Sequence, residues 1–385
     1  MAQNGSIRKR ELKSGRFVYD VVVDLGPDPV TGDRRQRKKT FKTKRDAVAG
    51  RTAWLAEIAQ GTAVDRSRQT VAELLRYWLE TYARHHVRPG TLEGYGYTIN
   101  GHIIPALGAV PVQRLTAQQL QQFYSDKIRA GCSPRTVQLC HLRLKQALRM
   151  AVEQGLVARN VAEAVRPPRV ERREMRTWTA AQAQQFLTVA AQSAYGPIWL
   201  LLLATGMRRG EALGLRWQDV DLEQRVVHVR QTVTVVQGAP HVGPPKSRSS
   251  RRAVPVQAHV IAALREHRAR QKAQRLALGP LWQDNDLVFA SAVGTPINPN
   301  NLTRDYNRWV TQAGVPRIRI HDQRHTHVTL ALAAGANFKA VSQRVGHAKP
   351  SITLDLYAHV LPEQHRDVSD RVGAALFGPL SSGAS

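Results

Sequence analysis

Cysteine, acid and long apolar runs are all scarce in this chain. Cys132 and Cys140 are the only cysteines in 385 residues, and they do not form a C-x-x-C pair. Two separated thiols rule out a disulfide framework, fit a reducing cytosol and argue against zinc there. The longest aliphatic run, Ile198 to Ala204, falls far short of the ~20 residues that cross a bilayer. The N-terminal residues are polar and basic, unlike the apolar core of a secretory signal. A soluble protein of a DNA-containing compartment is expected. Acid is the most telling shortage: 29 Asp and Glu stand against 56 Lys and Arg, a formal net charge of +27. Such a chain needs a polyanion partner. The charge is spread along the sequence and not gathered on one amphipathic helix, which favours nucleic acid over a membrane surface.

Apolar residues still make up 42% of the chain, enough for real cores, and the length suits roughly two to three domains. The fold class expected is multidomain, mainly α with small β elements. Residues 1–64 read as a small basic α+β module. Phe17, Tyr19, Val21 and Val23 alternate as a strand does, and Asp28 to Gly32 carry turn chemistry. A second strand, Arg35 to Phe41, is expected to put Arg35, Arg37 and Lys39 on one face, and Lys44 to Ile58 reads as a helix. Arg34 to Arg45 holds eight basic residues and no acid. A charge run is usually a solvated surface, but on a strand it suits a groove-reading ribbon. Arg34, Arg35, Arg37, Lys38 and Lys39 are therefore candidate DNA contacts.

Residues 65–166 read as a helical bundle. Val71, Leu74, Leu75, Trp78, Leu79 and Tyr82 follow helical spacing, and Thr70 with Glu73 and Thr116 with Gln119 are capping-box signatures. Ser133-Pro134 opens a further helix with Val137, Leu144, Leu148 and Val152 on one face. Arg135, Arg143, Lys145 and Arg149 lie on the same helix, and Arg135 and Lys145 are candidate DNA contacts. Prolines and charge mark 167–176 as a linker, which either follows a DNA backbone or is a plain solvated connector. Residues 177–385 form the largest unit, mixed α/β and mostly helical. Thr179 and Gln182 cap its first helix, and Ile198 to Ala204 is apolar all round, as a buried helix is. Val226 to Val236, rich in β-branched residues, is expected to pair with Ala253 to Val256 as a hairpin whose long loop contains Lys246.

Four segments of this unit carry chemistry-bearing residues. In Ala204 to Glu211, Gly206 is expected to end the buried helix in the left-handed conformation. Arg208 and Glu211 then share a face three residues apart. That spacing suits a surface ion pair as well as an arginine held for bidentate phosphate binding. Pro245 to Arg252 places Lys246 and Arg248 in a basic loop, and Arg248 is a further candidate DNA contact. His321-Asp-Gln-Arg-His-Thr-His327 could be mistaken for a zinc helix. Arg324 on the His321 face would oppose a dication, and no third ligand is evident. The better reading pairs His321 with Arg324 as a proton-transfer group beside a phosphate-binding cation, and leaves His325 and His327 to packing or hydrogen bonds. Gly346-His347 followed by Tyr357 is the fourth; a lone tyrosine there is usually structural.

Taken in order, Thr-Gly-Met-Arg-Arg-Gly-Glu, the hairpin lysine, His-Asp-x-Arg-His-Thr and Gly-His with Tyr ten residues on resemble the tyrosine recombinases, specifically the integrases of phages and other mobile elements. Gln323 departs from the pattern where many relatives are apolar, as does Val345, more mildly, where leucine is common. The resemblance implies an arm-type DNA-binding module at 1–64, a core-binding domain at 65–166 and a catalytic domain at 177–385. It implies a cytoplasmic bacterial enzyme, nucleoid-associated when active, that assembles as a tetramer on double-stranded DNA. It also implies roles. Arg208 and Arg324 clamp the scissile phosphate, His321 accepts a proton, and His347 hydrogen-bonds the phosphate. Lys246 protonates the departing 5′-hydroxyl, Glu211 orients the cluster, and Tyr357 forms a 3′-phosphotyrosyl link. Because that link stores the bond energy, neither metal nor ATP is required. Beyond Tyr357, Val368, Val372, Ala375 and Leu376 form an apolar stripe that either docks on its own domain or passes to a neighbouring protomer. Two rival readings remain. A type IB topoisomerase shares the chemistry but would relax supercoils as a monomer without an arm module. A DNA-binding regulator without chemistry would form no covalent adduct.

Overall fold

The computed structural model describes residues 5–27, 34–59, 64, 67–171, 175–245 and 248–346, together with 372, 375, 376 and 378. The chain divides into two compact units, Met1–Glu171 and Arg172–Ser385.

The first unit opens with an antiparallel sheet in the order β1-β2-β3, formed by β1 (Gly5–Glu11), β2 (Phe17–Pro27) and β3 (Arg34–Phe41), followed by α1 (Lys44–Ala59). Val21, Val23, Ala47 and Trp54 make its core, so α1 covers the face that carries Val21 and Val23. Residues directly opposite in an antiparallel pair share a face. Lys39 stands opposite Val21 and Arg37 opposite Val23. Arg37 and Lys39 share a face as expected, and it is the side that α1 covers. The Lys39 ammonium lies 4.5 Å from the centre of the Trp54 ring, a cation–π contact that lets a lysine stem line a small core. The side chains of Arg34 and Arg35 lie outside the described residues.

The opposite face carries Arg8 and Arg10 from β1 and Lys38 from β3, arranged about Asp20. Asp20 accepts from Arg10 Nε at 2.8 Å and from Thr40 Oγ1 at 2.7 Å, and Lys38 Nζ lies 2.7 Å from it. Hydrogen bonds from Arg10, then Lys38, hold its carboxyl well below the usual range.

The rest of this unit is a bundle of four continuous helical stretches. The first joins α2 (Val71–Tyr77) through a π-helical segment, Trp78–Ala83, to α3 (Arg84–His86). The second joins α4 (Pro89–Thr98) through Ile99–Ile103, also π-helical, to α5 (Ile104–Leu107); α6 (Ala117–Arg129) and α7 (Pro134–Glu153) complete it. Both expected capping boxes form, and Ser133 caps α7; caps of this kind stabilise by about 1 kcal/mol each. Leu75, Trp78, Ile99, Leu120, Val137 and Leu144 lie in the core. Arg143 is not a surface cation: it is 8% exposed and stacks 3.6 Å above the Tyr95 ring. Arg135 is exposed, and Lys145 lies 3.6 Å from Glu163.

In the second unit, α8 (Ala180–Ala190) begins at the Thr179–Gln182 box, and α9 (Gly196–Thr205) is the buried helix its sequence predicts. Trp178, Phe186 and Tyr306 pack with Trp199 of that helix as one aromatic cluster; full burial of such side chains is worth about 1.5–3 kcal/mol each. Then come α10 (Arg209–Leu213), β4 (Val220–Asp221), β5 (Val226–Val229), β6 (Thr232–Val236), β7 (Ala239–Gly243), β8 (Arg252–Pro255) and α11 (Ala258–Leu278). After these come α12 (Pro299–Gln312), α13 (Asp322–Ala333) and α14 (Phe338–Val345). The single strand expected over 226–236 is corrected to two. β5 pairs with β8, whereas β6 turns back on β7. The turn is Gln237-Gly238, both at positive φ, the conformation of a tight two-residue hairpin.

Candidate active site

The site grows from the end of α9. Gly206 caps that helix at φ 64°, and a Cβ there would meet His327 Cδ2 at 2.7 Å and Val345 Cγ1 at 2.9 Å. Only glycine satisfies both the backbone and the space. The Gly206 carbonyl accepts Arg324 Nη1 at 2.8 Å. Two residues on, Arg208 begins α10 and meets Glu211 twice, backbone N to Oε2 at 3.0 Å and Nη1 to Oε1 at 2.7 Å. Both arginines are thus seated on one turn.

Glu211 is 3% exposed, and its second cation is Arg252, whose Nη2 donates to Oε2 at 2.9 Å. Burial alone would raise the Glu211 pKa, but Arg252, and then Arg208, outweigh it and the net shift is downward. Arg252 also donates Nε to the Arg344 carbonyl at 2.6 Å and Nη1 to the Ser250 carbonyl at 3.0 Å. Arg208 reaches the same segments more loosely, at 3.3 Å to both Ser250 Oγ and the Gly346 carbonyl. Arg208, Arg252, Arg324 and Arg344 against one Glu211 leave an excess of positive charge, which suits an anionic phosphodiester.

His321 sits at the start of α13, its ring 5.4 Å from that of His325 and edge-on to it. Part of His321 is open to solvent. Burial of the remainder, then His325, Arg324 and Arg208, lowers its pKa to about 4. A neutral imidazole among cations is a proton acceptor. Arg319 holds Asp322 at the head of α13, with Nη2 to Oδ1 at 2.7 Å.

His327 buttresses the turn from behind. Its Nδ1 lies 2.8 Å from the Leu203 carbonyl, and Arg344 Nε donates to its Nε2 at 3.2 Å. A carbonyl only accepts and a guanidinium only donates, so the ring is neutral with its proton on Nδ1. Protonating Nε2 would set two donors against each other. Burial, then Arg344, accordingly lowers the His327 pKa from 6.5 to about 4. A folded pKa below the unfolded one gives stability that is present above pH 6.5 and lost as pH falls toward 4. Urea midpoints should therefore drop between about pH 7.5 and about pH 5.5, by on the order of 1 kcal/mol from this group. An NMR titration placing the His327 midpoint at its ordinary value would refute this.

Two family models match the chain. Residues 176–364 match the phage integrase family, and residues 70–128 match the phage integrase N-terminal SAM-like domain. A tyrosine recombinase XerC-like protein of Caldanaerobacter subterraneus is 30% identical over 373 residues, covering 92% of this chain and 95% of the relative. The chain belongs to the phage integrase family. It is a tyrosine recombinase of the integrase type, an enzyme of DNA strand breakage and rejoining. The ICEBs1 integrase of Bacillus subtilis is 24% identical and covers 94% of this chain and 98% of its own. In fold, the recombinase is similar to the Tn1549 transposon integrase in complex with circular intermediate DNA, with a TM-score of 0.66, 22% identity, and 79% and 99% of the two chains covered. It is also similar to a lambda integrase tetramer bound to a Holliday junction, with a TM-score of 0.56, 18% identity, and 90% and 94% covered.

Of the residues expected in this recombinase's site, the structure brings together Arg208, Glu211, His321 and Arg324. Lys246, His347 and Tyr357 lie outside the described residues, as do the side chain of Arg248 and Val368 of the C-terminal stripe; Val372, Ala375 and Leu376 are described and exposed. The sequence reading missed Arg252 as a partner of Glu211, and Arg344. Their signal was faint: Arg252 ends a basic loop, and Arg344 stands two residues before the Gly-His pair. Gln323 is buried at 1% exposure beside the Tyr306 hydroxyl.

Proposed function

We propose that Tyr357 is the nucleophile of this recombinase. Its hydroxyl oxygen bonds the scissile phosphorus while the bond to the 5′-oxygen breaks. His321, held neutral, takes the tyrosine proton, and Lys246 delivers one to the departing 5′-oxygen. Arg208 and Arg324 carry the charge that gathers on the non-bridging oxygens, with His347 as a further donor, and Glu211 keeps Arg208 in place. Rejoining reverses each transfer, so bond energy is conserved without ATP. The observation that carries this reading is the seating of Arg208 and Arg324 on one glycine turn beside a neutral His321. Trapping a covalent adduct on a nicked substrate, in the parent and in Tyr357→Phe, tests it.

The substrate is double-stranded DNA; the similar Tn1549 integrase is bound to circular intermediate DNA and the lambda integrase tetramer to a Holliday junction. Strand exchange joins two duplexes, so four subunits assemble on them, the number in the lambda integrase tetramer. Residues 1–64 bind arm-type DNA, 65–166 grip the core site with Arg135 and Lys145 among the contacts, 167–176 link, and 177–385 cut. Among the described residues no helix is long and apolar enough to cross a membrane. The enzyme acts in the bacterial cytoplasm, at the nucleoid.

For the arm module, the sheet face opposite α1 is the DNA-facing one. Changing Arg8, Arg10 and Lys38 to alanine should flatten the slope of log affinity against log salt by roughly 2 to 3. Changing Arg37 and Lys39 should instead loosen the module and leave the slope of the remaining folded protein intact. Binding isotherms from low to moderate salt decide. A slope that responds to Arg37 and Lys39, but not to the other three, reverses the assignment of faces.

A further inference from the structure

Arg208 and Arg252 span the same three segments in different ways. Arg208 is the outer fork: its side chain is 34% exposed, and its bonds to Ser250 and Gly346 are both 3.3 Å long. Arg252 is the inner fork: its side chain is 7% exposed, and its three bonds run from 2.6 to 3.0 Å. Each of its nitrogens serves a different segment. Nε takes the Arg344 carbonyl, one of the last carbonyls of α14, which the helix leaves unsatisfied. Nη1 takes the Ser250 carbonyl, at the end of the loop that carries Lys246. Nη2 takes Glu211, which holds Arg208. The backbone that leads to His347 also rests on Arg252, since a Cβ on Gly346 would lie 3.1 Å from Nη1 and 3.2 Å from Cδ.

We propose that Arg252 is a positioning residue for strand cleavage. It fixes α10, the segment at Ser250 and the end of α14 at one spacing, so that Arg208 can exchange its two long bonds for a DNA phosphate without the three segments drifting apart. The inference rests on Arg208 being a phosphate ligand. A planar guanidinium with donors in three directions is what the position requires. A lysine there keeps the charge opposite Glu211 but cannot hold two carbonyls and a carboxylate in one plane. Because Glu211 would still have a cationic partner, the Arg252→Lys protein keeps its buried charge balance.

The experiment measures duplex affinity and the single-turnover rate of covalent adduct formation in the full chain. Arg252→Lys is expected to bind DNA as the parent does and to form adduct about 10²-fold more slowly, the usual effect of a misplacement of about 1 Å. In Arg252→Ala, added guanidinium should restore part of that rate, an effect that repair of folding alone would not give with affinity unchanged. Arg208→Lys is run alongside. Adduct formation by Arg252→Lys at the parent rate, with Arg208→Lys impaired, overturns the proposal and leaves the site reading standing. Affinity and rate falling together in Arg252→Lys overturns it too, by making Arg252 a folding residue. If Arg208→Lys also cleaves normally, the site reading and the proposal fail together.

Discussion

Tyr357→Phe is expected to abolish the denaturant-resistant protein–DNA adduct while duplex binding stays at its parent level. The change removes one hydroxyl and almost no volume, so nothing about packing should follow from it. A tyrosine hydroxyl has a pKa near ~10, and attack at neutral pH requires both surrounding cations and a proton acceptor. In the proposed mechanism Arg208, Arg324 and the neutral His321, next to one turn, supply both. Without the phenolic oxygen those groups have no nucleophile to activate, and water is not held in its place. The measurement is a denaturing gel of labelled nicked substrate, followed by mass spectrometry of the phosphopeptide from the parent protein. An adduct that survives in the variant, or a phosphopeptide that maps to another residue, removes Tyr357 from the mechanism. Loss of binding together with the adduct would make it a structural tyrosine. The same gel separates the recombinase from a DNA-binding protein without chemistry, which would show no adduct in either form.

What could be read from the sequence was mostly local. Capping boxes at Thr70, Thr116 and Thr179 announce themselves within four residues, and each formed. The Gly206 turn was equally legible, because an apolar helix that meets Thr-Gly has few other endings. What escaped depended on partners distant in sequence. Period-two alternation shows that Arg37 and Lys39 share a face, but not that α1 covers it; that follows only from their register against Val23 and Val21. Arg143 read as part of a basic helix, yet Tyr95 waits for it on another helix. The 226–236 segment looked continuous because β-branched residues flank Arg230-Gln231, where the chain leaves β5 and begins β6. Arg252 is the extreme case: Glu211 lies 41 residues away and Arg344 lies 92. No spacing rule connects three such segments, so a basic loop residue was indistinguishable from a solvated one until the chain was folded.

Arg208→Lys is the second large effect, and it separates clamping from binding. The parent guanidinium makes a forked set of contacts: Nη1 to Glu211 and Ser250, Nη2 to the Gly346 carbonyl. A lysine keeps the charge and can keep the ion pair with Glu211, but it presents one ammonium where two parallel N–H groups are needed at the phosphate. In the ground state a phosphodiester carries one charge, and many basic residues along the chain share in holding the duplex. One lost fork is then a small part of affinity and of its salt dependence. In the transition state, charge gathers on the non-bridging oxygens, which in the proposed mechanism are those that Arg208 and Arg324 clamp. Removing one preorganised donor at such a point typically costs about 10²–10³ in rate, or about 2.7–4 kcal/mol. The expected result is therefore duplex binding close to the parent and adduct formation slowed by that factor. Binding is read from an equilibrium titration of the duplex, and the rate from single-turnover cleavage at saturating enzyme, which removes affinity from it. Arg324→Lys should behave in the same way but with some loss of stability, because its Nη1 also closes the Gly206 turn from a buried position. Equal losses of affinity and rate in Arg208→Lys would make Arg208 a binding residue and would move the phosphate clamp elsewhere in the basic cluster.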